Sequence, residues 1–387
     1  MTLVQSLLGE DATWRLPRRR MALGGRLDRY VGGIFLGAFG VALLLVVGLF
    51  LIVDLAGNLD DYLGREGQTG KVLRYYLLHT PFLYLQVAPF VTLMAGLFTV
   101  LRLQKSREVY AALGAGVSTR RLILPILALG SLSAVGMVVL REASIGVLGY
   151  EHQVLRMELE GKRDPGVLED LRLKDPAGKM IELGAFFPGV EASFGSQPGS
   201  GASFAALDVI RLDEQGRWIH YLASGGTYTG SSWQLEEAWV EEVTDQDYAS
   251  RELERLPAEL EFDPMDAWIA WKGRNEPLDL SYAEALELSR RDPDNVQYQT
   301  LLLHMLAFPL ANVVLLLVGL PFLMQFERGR GSEGLVAGFL LCVFYFAADF
   351  VSLNMGLQGH ASPALSSFLP TLLFGSLGLV LTSSARS

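Results

Sequence analysis

Apolar residues along this chain form six long runs, separated by short polar stretches and by one long polar segment. Each run is long enough to cross about 30 Å of hydrocarbon as a helix. The pattern therefore predicts a polytopic α-helical membrane protein with spans at about residues 31–54, 73–100, 120–141, 299–324, 334–356 and 364–382. Three spans precede and three follow the long segment, which occupies residues 143–298.

The first apolar run follows a basic segment, an arrangement that is also typical of a cleaved signal peptide. The run at 31–53 is longer than the apolar region of a signal peptide, and it ends at Asp54 without a small-x-small cleavage site. We therefore expect a retained span that follows a cytoplasmic N-terminal segment at residues 1–30.

Lysine and arginine are unevenly distributed between the two predicted sides of the membrane. If the N-terminus is cytoplasmic, the cytoplasmic segments carry 14 of these residues, against 3 in the short outer loops. Cytoplasmic loops of membrane proteins carry the excess of positive charge. We therefore expect both termini inside, with spans one to three at 31–142, spans four to six and a short tail at 299–387, and the long segment outside.

The long segment at 143–298 differs from the rest of the chain in charge and in pattern. It has 14 basic and 30 acidic residues, a net charge of −16, whereas the remainder has a net charge of +6. This acidity keeps a domain soluble and disfavours adhesion to anionic head groups. Its alternating pattern predicts an antiparallel β-jellyroll-like domain with strands at 179–183, 204–212, 218–222 and 233–240, turns at 213–216 and 224–226, and a helix at 281–291.

A short polar hairpin at about 103–116 separates the second and third spans. Its residues have helical spacing, which places Val109 and Leu113 on one face and leaves Glu108 in water. Gly116 is suited to end this helix. A helix that lies flat at the cytoplasmic surface could bind a soluble partner, and a tight turn between two spans is the alternative.

Motifs that carry catalysis are missing from the sequence. It contains no phosphate-binding loop, no H-E-x-x-H metal motif and no G-x-S-x-G elbow. We therefore expect neither an enzyme nor a cofactor or metal site. Cys342 is the single cysteine and lies in the fifth span, so no disulfide is expected. Asp349 lies inside the same span, where it either lines a polar path or bonds to neighbouring helices.

Small residues and prolines are placed where spans could approach one another or bend. Gly33 and Gly37 form a G-x-x-x-G pattern in span one, and Gly334 and Gly338 form another in span five. Such patterns permit close contact between helices. Prolines are expected to interrupt or open the spans at Pro81, Pro89, Pro125, Pro309 and Pro321.

Several short motifs, taken in order, resemble those of a known family. They are Leu27-Asp28-Arg29-Tyr30 and Asp54-Leu55 around span one, Pro81-Phe82-Leu83 and Ala88-Pro89-Phe90 in span two, Glu108 and Gly114-Ala115-Gly116-Val117-Ser118 after it, and His304, Phe308-Pro309-Leu310-Ala311-Asn312 and Gly319-Leu320-Pro321-Phe322 in span four. With the six spans and the exported β insert, residues 23–383 resemble the lipopolysaccharide-export permeases of the LptF/LptG (YjgP/YjgQ) family. Residues 1–22 extend beyond the usual start of that family.

The resemblance implies one permease subunit of an ABC transporter in the bacterial inner membrane, active in cell envelope biogenesis. Members pair as two related subunits, LptF with LptG, each bound by a cytoplasmic LptB-like ATPase, and pass lipopolysaccharide to periplasmic LptC/LptA-like bridge proteins. By this resemblance, Glu108 would sit in the ATPase groove with Arg107, Tyr110 and Leu113 beside it. The four glycines named above would lie where span one of one subunit meets span five of the other.

Cations are expected at the outer mouth of the first three spans, at Arg65, Lys71, Arg74 and Arg141. Such a ring could hold lipid A phosphates through charge-assisted hydrogen bonds. The alternatives are snorkelling anchors or, for Arg141, a local pair with Glu142. Two other functions also remain open: a permease for another lipid or lipoprotein, and a non-transporting scaffold that displays the β domain.

Overall fold

A computed structural model of the chain describes residues 25–58, 69–161, 166–174, 180–189, 197–199, 201–212, 218–244, 247–255, 262–325 and 331–384. Within them the helices are α1 (Arg26–Gly57), α2 (Thr69–Lys105), α3 (Glu108–Gly114), α4 (Thr119–Leu159), α5 (Pro264–Asn275), α6 (Tyr282–Arg291), α7 (Val296–Ala307), α8 (Ala311–Gln325), α9 (Gly331–Leu357) and α10 (Pro363–Ser384). Short 3-10 turns occupy Pro277–Asp279 and Phe308–Leu310.

Six helical segments are long and apolar enough to cross a membrane, as the sequence predicts: α1, α2, α4, the pair α7–α8, α9 and α10. Helix α4 has 41 residues, which at 1.5 Å per residue is about 60 Å, or twice the hydrocarbon thickness. Residues 143–159, which the sequence pattern assigns to the insert, therefore continue the third span as a helix.

The bundle packs most closely where α8 meets α2 and α4. The side chain of Leu316 lies against Gly96 of α2 and Gly130 of α4, and a Cβ at either glycine would overlap it. Close by, Asn312 of α8 accepts a hydrogen bond of 2.7 Å from the Thr92 hydroxyl of α2. Both side chains are completely buried, so this polar contact joins spans two and four inside the bundle.

Proline affects the spans unequally. Pro309 lies in the 3-10 turn between α7 and α8, and its carbonyl oxygen accepts a hydrogen bond of 2.9 Å from the Asn312 side chain. The predicted interruption of span four is thus present at Pro309, where a neighbouring amide bonds to the freed carbonyl, but it is wrong at Pro321, through which α8 continues. The prediction was wrong for span two, because α2 continues through both Pro81 and Pro89.

The insert contains one antiparallel sheet, as the sequence predicts, with strands β1 (Leu168–Lys174), β2 (Met180–Phe187), β3 (Ser203–Leu212), β4 (Trp218–Tyr228), β5 (Trp233–Thr244) and β6 (Asp247–Arg255). Each strand pairs with its neighbours in the sequence, so the described sheet is a meander. One face of β4 is buried at alternate positions, in keeping with a sheet that covers a core on one side.

The turn predicted at 224–226 is wrong, because these residues continue β4. The glycines serve packing instead: a Cβ at Gly226 would lie 2.6 Å from the ring of Phe204 on β3. The turn predicted at 213–216 lies outside the described residues. Two strands, β1 and β6, and helix α5 were not predicted; charged residues are frequent in both strands, and the described side chains of β6 are mostly exposed.

The core of the insert is continuous with the membrane helices. Trp233 at its centre donates a hydrogen bond of 2.6 Å to the carbonyl oxygen of Phe262. Tyr150 of α4 and Leu301 of α7 belong to the same buried cluster. A buried ion pair, with Lys272 Nζ of α5 2.6 Å from Glu284 Oε2 of α6, also holds the two helices together. The sheet is thereby fixed to spans three and four.

Candidate functional site

The hairpin between the second and third spans contains a seven-residue helix, α3, at the position that the sequence predicts. Arg107 precedes it with a left-handed φ of 61°, and this turn redirects the chain from α2 into α3. Gly116 follows it with a φ of 78°, a conformation that favours glycine. Ser118 occupies the N-cap position of α4, although its side chain makes no capping hydrogen bond.

Helix α3 has one face against the bundle and another toward solvent. Val109 is buried in a core cluster that it shares with the membrane helices, whereas Tyr110 and Leu113 are 38% and 41% exposed. The expectation that Leu113 shares the buried face of Val109 is therefore wrong. The result is a solvent-facing helix that carries one aromatic and one aliphatic side chain.

Two polar contacts join the first span to this hairpin. The Tyr30 hydroxyl of α1 donates a hydrogen bond of 3.0 Å to Glu108 Oε1, at the first residue of α3. The Asp28 carboxylate of α1 forms a two-point ion pair with Arg121 of α4, with 2.7 Å between Nη2 and Oδ2. Span one is thus bonded to the first residue of α3 and to the first turn of α4.

At the other end of the bundle, spans two to five enclose a cavity of about 420 Å³. Most of its lining is apolar, and representative side chains are those of Phe82, Met137, Phe308, Phe346 and Phe350. The turn and helix at the base of the insert, through Leu278 and Tyr282, close one side of it. A largely apolar cavity with a few polar groups is typical of sites that bind small molecules.

The polar groups of this cavity occur in two places. His304 of α7 and Asp349 of α9 form a buried pair, with 3.1 Å between Nε2 and Oδ2. Toward the insert, Arg141 of α4 donates two hydrogen bonds of 3.0 Å to the carbonyl oxygens of Leu278 and Leu280. Asp279 lies on the same wall, and burial raises the pKa of its carboxyl group above the ordinary value.

Each predicted phosphate-binding cation inside the described residues already has a partner within the chain. Lys71 pairs with Glu158, and Arg74 Nη2 lies 2.5 Å from Oε1 of the buried Glu151. Arg141 binds backbone carbonyls as stated above. Glu142 does not pair with Arg141 and instead accepts a hydrogen bond from the Tyr282 amide. Arg65 lies outside the described residues. The binding of phosphate by these four cations therefore stays a prediction.

The two predicted glycine pairs occupy different environments. A Cβ at Gly33 or Gly37 on α1 would meet no atom of the chain within 4 Å. A Cβ at Gly334 would overlap Leu323 of α8, and one at Gly338 would overlap Leu97 of α2. The span-five glycines therefore have a packing role inside the subunit, and their place between subunits stays a prediction.

Sequence reasoning named His304 and Tyr30 only as parts of motifs and gave them no role. Their partners, Asp349 and Glu108, lie 45 and 78 residues away in the chain. The available signal was a polar side chain inside or beside an apolar run. Among the described residues, no group of three or more acidic, histidine or cysteine side chains could hold a metal ion.

Comparison with known proteins gives one clear result. A family model described as "Lipopolysaccharide export system permease LptF/LptG" matches residues 29–384. The match includes the six spans, the hairpin helix and the β insert. No curated protein matches the chain.

Proposed function

Because the chain belongs to the LptF/LptG family of lipopolysaccharide export system permeases, we propose that it is one half of an ATP-driven exporter. In this proposal it pairs with a related permease in the bacterial inner membrane, with both termini in the cytoplasm and the β insert in the periplasm. A separate cytoplasmic ATPase hydrolyses ATP. The transporter extracts lipopolysaccharide and passes it through the β insert to periplasmic bridge proteins.

The observation that carries this proposal is the exposed face of α3. Helix α3 exposes one aromatic and one aliphatic side chain, Tyr110 and Leu113. Such a surface suits an apolar groove on a soluble partner. Glu108 at the start of the helix and Arg107 beside it add charges of both signs to the same surface. We propose that this surface binds the ATPase, as it would in other members of the family.

The apolar cavity enclosed by spans two to five supports the proposal that the substrate is a lipid. Withdrawing an acyl chain from the bilayer costs about 0.8 kcal/mol for each CH₂ group that leaves hydrocarbon. An apolar cavity such as the one lined by Phe82 and Phe350 offsets part of this cost during transfer. ATP hydrolysis must supply the remainder, which is why a permease of this kind needs the ATPase.

In this proposal the outer cations bind lipid phosphates by exchanging partners. A phosphate that approaches Lys71 or Arg74 competes with Glu158 or Glu151 for the same donors. Such competition is sensitive to ionic strength. High salt and neutralisation of Arg65, Lys71, Arg74 and Arg141 together should therefore lower lipopolysaccharide binding, whereas snorkelling anchors predict altered insertion with unchanged affinity.

Purification and reconstitution test this function against the two alternatives. The chain is expressed with its related permease and the ATPase, and the complex is placed in liposomes that contain lipopolysaccharide. We expect the ATPase to co-purify and lipopolysaccharide to move, only with ATP, to an added soluble β acceptor. Without ATPase co-purification the scaffold function is favoured. Hydrolysis that is stimulated by another lipid or a lipoprotein, and not by lipopolysaccharide, would identify a different cargo.

A further inference from the structure

Span one is attached to the rest of the chain mainly at its cytoplasmic end. The buried residues of α1 are Asp28, Val31, Gly32, Ile34 and Phe35, all within its first ten positions. Farther along, large apolar side chains are mostly exposed, for example Leu44 at 72% and Leu49 at 64%. A helix packed this way can tilt at little cost in buried contacts.

The outer end of α1 makes a polar contact with α2 that could act as a pivot, and Leu55 packs nearby against a small apolar cluster that includes Tyr75. The Tyr76 hydroxyl of α2 donates a hydrogen bond of 2.8 Å to Asp54 Oδ2. Between this contact and the cytoplasmic end, a groove of about 560 Å³ separates α1 from α2 and α4. Apolar side chains such as Val47, Leu51 and Leu140 line it. The groove provides space for a movement of the middle of span one.

The cytoplasmic contacts of α1 reach the start of α3 and the first turn of α4, the helix that follows it. Tyr30 bonds to Glu108 at the first residue of α3. Asp28 bonds to Arg121, in the first turn of α4 and only a few residues after α3 ends. Asp28 Oδ2 also accepts a hydrogen bond of 2.9 Å from the Gly25 amide, which fixes the carboxylate at the start of α1.

The contact with Tyr30 is compatible with ATPase binding at Glu108. An ionised carboxylate offers about four acceptor positions on its two oxygens, and Tyr30 occupies one position on Oε1. A cation on the ATPase could therefore bind Glu108 while the Tyr30 hydroxyl stays bound. Glu108 would then touch the ATPase and span one at the same time.

We infer that Tyr30 and Asp28 couple α3, the proposed docking helix, to span one. Movement of α3 by the ATPase would then tilt α1. Tyr30 and Asp28 are positioning residues in this mechanism, since neither contacts the lipid. The inference rests on the proposed function, because it requires an ATPase at α3. It adds which span the ATPase moves and through which side chains.

The test uses Tyr30→Phe in the assembled complex, with Tyr345→Phe as the matched control. Tyr345→Phe also loses one hydroxyl contact, to Thr371 on α10, but Tyr345 lies between spans five and six and does not line the groove beside span one. For Tyr30→Phe we expect normal ATPase co-purification and hydrolysis with at least about a fivefold loss of lipid delivered per ATP, the lower end of typical coupling between sites. Tyr345→Phe should leave this ratio unchanged.

A cysteine at Leu49 reports the movement of span one directly. The sequence has a single native cysteine, Cys342, which is buried, so labelling by a polar maleimide measures position 49. In the wild-type background, we expect the labelling rate of Leu49→Cys to change between ATP-bound and nucleotide-free complexes. With Tyr30→Phe added, this change should be lost.

A second pair of variants tests the Asp28 contact. Asp28→Arg should uncouple hydrolysis from transport, and adding Arg121→Asp should restore coupling by re-forming the ion pair in reverse. The inference would be overturned if Tyr30→Phe kept both the wild-type delivery of lipid per ATP and the change in labelling. It would also be overturned if Asp28→Arg with Arg121→Asp failed to restore coupling. A proportional fall in hydrolysis and delivery would indicate a structural role instead. Failure of the wild-type ATPase to co-purify would refute the proposed function separately.

Discussion

The imidazole Nε2 of His304 lies 3.1 Å from Oδ2 of Asp349, and this contact joins spans four and five at the wall of the apolar cavity. The sequence left two interpretations of Asp349, a polar path or a bond to neighbouring helices. The structure shows the second, since the carboxylate bonds to His304 of a neighbouring span, and the polar path stays a prediction. Each side chain of the pair gives the other a polar partner in otherwise apolar surroundings.

Replacing Asp349 tests the energetic role of this pair. Asp349→Leu leaves the His304 imidazole buried without its partner, which should destabilise the protein by about 1–3 kcal/mol. Asp349→Asn keeps an acceptor oxygen and should cost less. Thermal unfolding of the purified protein in detergent measures both variants, and equal midpoints for Leu and Asn would contradict the assignment of the pair as a stabilising contact.

Charge reversal at Glu108 tests the docking surface. Glu108→Lys removes the acceptor that we propose for the ATPase, so the ATPase should co-purify poorly and transport should be lost. Membrane insertion should stay normal because α3 lies outside the packed spans. Glu333→Lys makes the same charge change at the start of α9 and serves as the control. Normal co-purification and full transport in Glu108→Lys would show that the ATPase binds elsewhere.

The two glycine pairs should respond differently to larger side chains. Gly334→Leu and Gly338→Leu should lower the thermal stability of the chain by itself, because their side chains would overlap Leu323 and Leu97. Gly33→Leu and Gly37→Leu have open space in the chain and should affect only pairing between subunits. Size-exclusion chromatography and unfolding of the single subunit distinguish these effects. Equal destabilisation of the single subunit by both pairs would contradict this difference.

The insert should show a pH dependence that originates at Asp266. Burial raises the pKa of its carboxyl group to about 6, against the opposing effects of the Asp263 backbone and Arg291. The folded state therefore keeps a proton that the unfolded chain releases between pH 4 and 6, so this contribution to stability is present at about pH 4 and is lost as pH rises through about 6.

Unfolding midpoints of wild type and Asp266→Asn, compared between about pH 4 and pH 7, measure that contribution. The asparagine variant has no carboxyl group to titrate, so its midpoint should depend less steeply on pH. Asp294→Asn, at an exposed position of the same region, should keep the wild-type slope. Identical slopes for wild type and Asp266→Asn would exclude Asp266 as the source.

The spans could be predicted because length and hydropathy alone define them, and all six occur where the pattern places them. The sequence predicted an antiparallel β insert, but it did not predict the two edge strands, β1 and β6. The strand at Leu168–Lys174 alternates apolar residues with charges in a way that also suits a surface helix or a loop. Gly226 resembles a turn residue until the ring of Phe204 is placed against it.

The candidate site could be predicted only as far as local sequence determines it. Helix α3 is local, so its position and its glycine end follow from residues within one hairpin. The Tyr30–Glu108 bond and the partners of Lys71 and Arg74 depend on how distant helices pack. No spacing rule within a single sequence gives such contacts.

Lipid crosslinking in the cavity tests most directly whether the chain moves lipopolysaccharide. A photoreactive amino acid replaces Phe350, which lines the cavity and is 68% exposed, and in the control it replaces Leu372 of α10, which is 64% exposed and does not line the cavity. In cells we expect lipopolysaccharide adducts at position 350 whose amount changes with ATP turnover, and only background at position 372. Equal adducts at both positions, unaffected by ATP, would contradict a transport cavity.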